Sequence, residues 1–184
     1  MLTYRFNFPK AFQATAVVLR EHRSQMDFVR LLKLLYIADR ELLAEIGRTL
    51  TGDRAEALER GPVLTTVYDL VKGRGPDAEQ AQWSAAIRKA DGSVALVKAV
   101  PTGKLTKAEE EKLHVVCERF RNTSTPDLIE LTHKFAEWVE AYEAGPSSPI
   151  NWEVALSSQG LGDLVPEVHR VQEERELAEA VFKE

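Results

Sequence analysis

Four histidines, one cysteine and a rich supply of carboxylates are the groups in this 184-residue chain that could do chemistry. His22, His114, His133 and His169 are not paired with one another at a metal-ligand spacing. A helix would turn His114 and Cys117 the same way, yet two donors fall short of a closed metal site. Cys117 lies in the apolar series Leu113, Val116 and Phe120, which suits an inert buried thiol, because a reactive thiolate needs exposure and a charged neighbour. Among the acids, Asp39 and Asp53 stand out. Asp39 falls beside the buried face of an apolar helix, where a carboxylate is costly unless paired. Asp53 follows Thr51-Gly52, where an Asx turn would satisfy it. Together with His133 they would make the acid–base set of a small hydrolase; as a buried ion pair and a turn they would be structural. No dinucleotide or Walker loop, zinc-protease helix or nucleophile elbow is present. Gly73-Arg74-Gly75 runs into Pro76 rather than a helix start and reads as a solvated turn. No catalytic residue, metal or cofactor is expected.

These residues must be positioned by helices. The apolar spacing predicts one over 9–21, with Phe8, Phe12, Ala16 and Leu19 on a shared face. Ser24 and Asp27 form an S-x-x-D start to the strongest helix, where Phe28, Leu31, Leu32, Leu35, Leu42 and Ile46 recur. Leu34 and Ile37 widen its apolar face, which makes it central, and Gly47 supplies the stop. Thr51-Gly52-Asp53 reads as a turn followed by a short extended or helical piece. Gly61-Pro62 then opens a helix that turns Val63, Val67, Leu70 and Val71 inward. A hairpin is expected from 83–87 and 94–100 around Asp91-Gly92. Thr106 caps a further helix with Glu109 completing the box, and Thr125-Pro126 caps another that runs through Leu128, Leu131, Phe135 and Trp138. A short element over 150–156 precedes a charged helical tail over 164–182. Val168, Val171, Leu177, Val181 and Phe182 give that tail an apolar side, to pack back on the domain or serve a partner.

The expected fold class is mainly α with α+β character: a helical domain around a central helix, with one small antiparallel hairpin or sheet. The expected organisation is a domain over 1–162 and a charged C-terminal helix over 163–184 packed on it. Apolar residues at 44% and charged residues at 29% are a globular balance. The net charge of −5 lacks the broad basic footprint of a nucleic-acid binder, and Arg20, Arg23 and Arg30 are too few for a phosphate track. No apolar run approaches the ~20 residues of a membrane span, and the N-terminus lacks a signal-peptide core. The chain reads as a soluble cytoplasmic protein that binds neither DNA nor membrane.

The stretch Lys33-Leu34-Leu35-Tyr36-Ile37-Ala38-Asp39-Arg40 is followed by Gly47-Arg48, Thr51-Gly52-Asp53, Gly61-Pro62-Val63 and Val67-Tyr68-Asp69-Leu70. In that order it resembles the Panacea (SocA-like) antitoxin domain family. Leu131-Thr132-His133, then Trp138, Ala141 and Ile150, fit the same family, so the resemblance covers about 9–156. Departures are Ala55, where similar domains carry an aromatic, and Leu64 and Glu137, where they carry proline.

The resemblance implies a mostly helical domain that neutralises a cognate protein toxin, encoded by an adjacent gene, through direct contact. One branch of the family instead acts as an adaptor to a bacterial ATP-dependent protease, and related domains occur in prophage proteins. A phage-associated or adaptor module without inhibitory role is therefore the alternative, and the hydrolase a third reading. The family-like positions Asp39, Gly52, Asp53, Arg54, Gly61, Pro62, Val63, Tyr68, His133 and Trp138 are expected to maintain the fold and shape a shared contact surface. Tyr68 reads equally as a contact or a core aromatic.

Overall fold

Helix α2 (Phe28–Ile46) is the axis on which the other elements pack. The structure, a computed structural model, describes residues 1–181, apart from the side chains of Glu176 and of residues 179–181. Leu31, Leu34, Leu35, Leu42 and Leu43 are all buried, so α2 is apolar around most of its circumference and takes neighbours on several sides. Those neighbours include α1 (Phe8–Glu21), α5 (Lys107–Arg119), α6 (Thr125–His133) and α8 (Trp152–Ser158). Its start is capped by Asp27, whose carboxylate accepts from the Arg30 amide at 3.0 Å. Ser24 does not cap it: with φ of +66° it turns the chain into a three-residue strand, β1 (Gln25–Asp27). Gly47 ends the helix in the left-handed conformation, as the sequence indicates.

The molecule is mainly helical, with nine α-helices among the described residues, but it holds two small antiparallel sheets rather than one. The first has the order β1-β5-β4, where β4 (Ile87–Ala90) and β5 (Ser93–Leu96) form the hairpin around Asp91-Gly92. Trp83, expected in that hairpin, belongs to α4 (Asp77–Ala86). The second sheet has the order β3-β2-β6, built from β2 (Ala55–Leu58), β3 (Gly61–Leu64) and β6 (Ser148–Pro149). Here the sequence expectation is overturned. Gly61-Pro62 does not open a helix; Pro62 lies opposite Ala57 in an edge strand, where a missing amide is tolerated. The helix begins later, as α3 (Thr65–Lys72).

The helix expected to run through Trp138 is broken into α6 and α7 (Ala136–Ala144), with Phe135 extended between them. Ser124, not Thr125, caps α6. Thr106 and Glu109 form the expected capping box on α5. Arg20 and Arg30 are spent on structure: Arg20 donates to the Val100 carbonyl at 2.9 Å, and Arg30 to the carbonyls of Phe120 and Thr123. The chain continues through α8 and a short 3₁₀ turn to α9 (Val165–Val181). Of the apolar side expected there, Val168 is buried while Val171 and Leu177 are exposed, and Phe182 lies outside the described residues. Among the described residues no helix is long and apolar enough to cross a membrane.

Candidate functional site

Two of the buried polar side chains on helix α2, Asp39 and Lys33, each secure one irregular segment. Asp39 is fully buried. Its Oδ1 accepts from the Leu50 and Thr51 amides at 2.7 and 3.0 Å, and its Oδ2 accepts from the Thr51 hydroxyl. Burial pushes this carboxyl up to about 7, against the pull of those hydrogen bonds. The expected ion pair is absent among the described residues; N–H and O–H donors satisfy Asp39 instead. The loop it holds is knitted further by the Gly52 amide donating to Thr49 Oγ1 at 3.1 Å. Gly52 has φ of +65° and lies so close under the Arg5 carbonyl that a Cβ has no room.

Asp53 leaves that loop for a different task. Its two oxygens accept from the Thr66 and Val67 amides at 3.1 and 2.9 Å, at the start of α3. The residue in the cap position, Leu64, offers no side-chain acceptor, so Asp53 caps α3 from a distance rather than closing its own Asx turn. Burial raises its carboxyl above the usual range.

Lys33 serves the second segment, the turn between β2 and β3. Its side chain is fully buried, and Nζ donates to the Pro62 carbonyl at 2.7 Å. Burial pushes this amine down to about 7. Gly61, with φ of +89°, is hemmed in: a Cβ would come within 2.6 Å of Thr132 Oγ1 and 3.0 Å of Lys33 Nζ. From the other side, Trp138 Nε1 donates to the Leu58 carbonyl at 3.1 Å. The His133 ring stacks on Trp138 at 4.1 Å, and Trp138 stacks on Tyr142 at 4.7 Å. This ladder of three rings starts beside the buried Lys33–Gly61 contact and ends at Tyr142, which is 38% exposed. His133 Nε2 is buried without a hydrogen-bond partner among the described residues, and burial, then the Lys33 charge, lower the ring's pKa.

The ten residues singled out in the sequence therefore divide. Asp39, Gly52 and Asp53 meet at the loop; Gly61, Pro62, His133 and Trp138 meet at the turn, with Val63 buried in the strand beyond it. Arg54 is exposed. Tyr68 belongs to neither group: it is half-buried on α3, with Lys72 and Arg74 over its ring at 5.3 and 5.5 Å. The charged neighbours of His133 are Lys33 and Glu130, not either aspartate, so the hydrolase set does not come together. His114 turns to Glu21 at 3.0 Å, while burial pushes the Cys117 thiol up to about 12. Among the described residues no three His, Cys, Asp or Glu side chains gather as metal ligands.

Lys33, Tyr36 and Glu137 stand in the family-like blocks of the sequence but were not singled out there as site residues. Tyr36 donates to the buried Glu137 Oε1 at 3.1 Å, and Arg40 Nε reaches the same oxygen at 2.5 Å. The signal was available: a lysine amid Leu31, Leu32, Leu34 and Leu35 has no aqueous face to turn to.

Comparison with curated proteins and with solved structures finds no match. The family model described as "Antitoxin SocA-like, Panacea domain" matches residues 31–139, which span more than half of the chain and hold both segments tied to α2. The chain belongs to the SocA-like antitoxin family of Panacea domains.

Proposed function

We propose that this protein is an antitoxin that neutralises a cognate protein toxin, encoded by an adjacent gene, by holding it in a stoichiometric complex. Membership in an antitoxin family supports the general role. The observation that carries the contact mechanism is how the family-like residues use their polar groups. Asp39, Asp53, Lys33 and Trp138 all spend them on internal hydrogen bonds that fix a loop and a turn. What this leaves facing outward is a rigid rim: the exposed Glu59 and Arg60 at the β2–β3 turn, and the Tyr142 end of the stacked rings. A preorganised rim with an aromatic anchor and flanking charges suits a protein partner, because little order is lost on binding.

Titration of toxin activity against this protein tests the reading. Inhibition is expected to saturate near equimolar antitoxin, and Tyr142→Ala with Arg60→Glu to weaken it about tenfold or more while the fold is kept. Complete neutralisation by a small catalytic fraction, leaving the toxin chemically altered, overturns it.

A further inference from the structure

The loop that Asp39 secures also forms one wall of a cleft of about 480 Å³, closed by the N-terminal segment on one side and by α9 on another. Arg5, Lys10, Arg48 and Arg175 line it, and no aspartate or glutamate is among its described lining residues. In a chain of net charge −5 this is a local reversal of sign. Glu109 lies buried behind the wall, 2.5 Å from Lys10 Nζ and 3.8 Å from Arg48, and offsets part of their charge. Arg5 and Arg175 have no ion-pair partner among the described residues. Between the cations the lining mixes the polar Asn7, Thr49 and Gln172 with apolar surface from Leu50, from Ile46, 44% exposed, and from Val171, 37% exposed. The walls are fixed in advance. Besides the Asp39 and Gly52 contacts, the Asn7 amide donates to the Thr51 carbonyl at 2.8 Å, and the Tyr4 hydroxyl to the Gly47 carbonyl at 3.2 Å.

We propose that this cleft binds a phosphorylated small molecule with an apolar body, such as a nucleotide. Four cations lining one small concavity, offset in part by Glu109 behind the wall, focus positive potential where a dense anion would sit. Arginine forks match phosphate oxygens in pairs, and the volume is that of a small-molecule site. An acidic peptide spreads its carboxylates over ~3.3 Å per residue and concentrates charge less well. The exposed Ile46 and Val171 give an apolar body surface to cover, which an inorganic anion leaves bare.

Calorimetric titration of the full chain with adenosine and guanosine diphosphate, inorganic pyrophosphate and hexaglutamate tests this. The expected result is saturable 1:1 binding of a nucleotide, tighter than pyrophosphate. Arg5→Gln and Arg175→Gln should each weaken it about tenfold. Both arginines are exposed and lack ion pairs among the described residues, so both variants should keep the thermal midpoint of the unliganded wild type. Ile46→Ser should weaken the nucleotide but not pyrophosphate. Absence of saturable binding at millimolar probe overturns the proposal. So does nucleotide binding unchanged in a folded Arg5→Gln/Arg175→Gln chain, or a preference for hexaglutamate or bare pyrophosphate.

Discussion

At the scale of single residues, Lys33 is the least expected feature, because a protonated amine buried in an apolar core against the Pro62 carbonyl is held at a cost. Its pKa of about 7 ties that cost to pH. Between about pH 7 and the ordinary lysine value near 10.4, the unfolded chain keeps a proton that the folded chain has shed, so stability rises with pH across that window. Below pH 7 both states hold the proton and the full cost is present. Asp39 acts in a separate window. Its carboxyl, raised to about 7, keeps the folded chain more protonated from about pH 4 upward, so its contribution falls with pH until 7 and is level beyond. The Cys117 thiol, raised to about 12, begins to matter only above the ordinary cysteine range near 8.5. In urea unfolding between about pH 7.5 and 8.5, Lys33 is therefore the largest source of pH dependence among these three groups. Wild-type stability should rise over that interval, while Lys33→Met should lie flatter and gain most on the wild type at the acid end. Parallel curves for the two proteins would show that Lys33 does not change its proton on folding. Lys33 is also where sequence reading stops short: its place in a leucine run shows that it is buried, but not that its partner is a carbonyl 29 residues away.

At the scale of elements, helices were legible wherever spacing and caps agreed, as in α2 with its Gly47 stop and α5 with its capping box. The failures have a common physical origin in tertiary partners. Pro62 satisfies the local rule for a first helical turn equally well, and only pairing with Ala57 makes it an edge-strand residue. Leu128, Leu131, Phe135 and Trp138 keep helical spacing across a real break, because Phe135 leaves the helix to lie against Tyr36 and under the Arg40 guanidinium, 4.3 Å from its ring. Of the residues that fix the loop and the turn, Asp39, Asp53, Gly61 and Trp138 were singled out from motif order, but Lys33 was not, nor was the helix start that Asp53 caps. The turn at Gly61 gives an element-scale prediction. Gly61 and Gly73 share positive φ, at +89° and +74°, but a Cβ at Gly73 meets nothing within 4 Å. Gly73→Ala should cost about 1–2 kcal/mol from backbone conformation alone. Gly61→Ala should cost clearly more, because Thr132 and the buried Lys33 must also shift. Equal denaturation midpoints for the two variants would show that the turn has slack.

At the scale of the whole molecule, the question is whether α9 is part of the folding unit or an appendage to it. The family match ends at residue 139, well before this helix. Among the described residues its ties to the rest include Val168, buried against Gly47, His169 Nε2, which meets Glu153 at 2.9 Å, and Gln172, which donates to the Thr3 carbonyl. Val171 and Leu177 remain exposed, so the described side chains of the helix form no continuous buried apolar stripe. Burying one valine is worth about 1.5–3 kcal/mol, and a part-exposed histidine–carboxylate contact adds little. A domain of this size has stability of about 5–15 kcal/mol, so the loss should be survivable. A chain ending at Leu164 is therefore expected to unfold cooperatively, about 1–3 kcal/mol less stable, with helical signal reduced only by the missing segment. Since the rim at Glu59, Arg60 and Tyr142 does not involve α9, this shorter chain should still neutralise the toxin at equimolar ratio. The cleft should respond differently, because the truncation removes Arg175 and Val171 from its lining. Retained neutralisation together with lost nucleotide binding would assign the two surfaces to separate tasks. A shortened chain that fails to fold would instead make α9 integral to the domain.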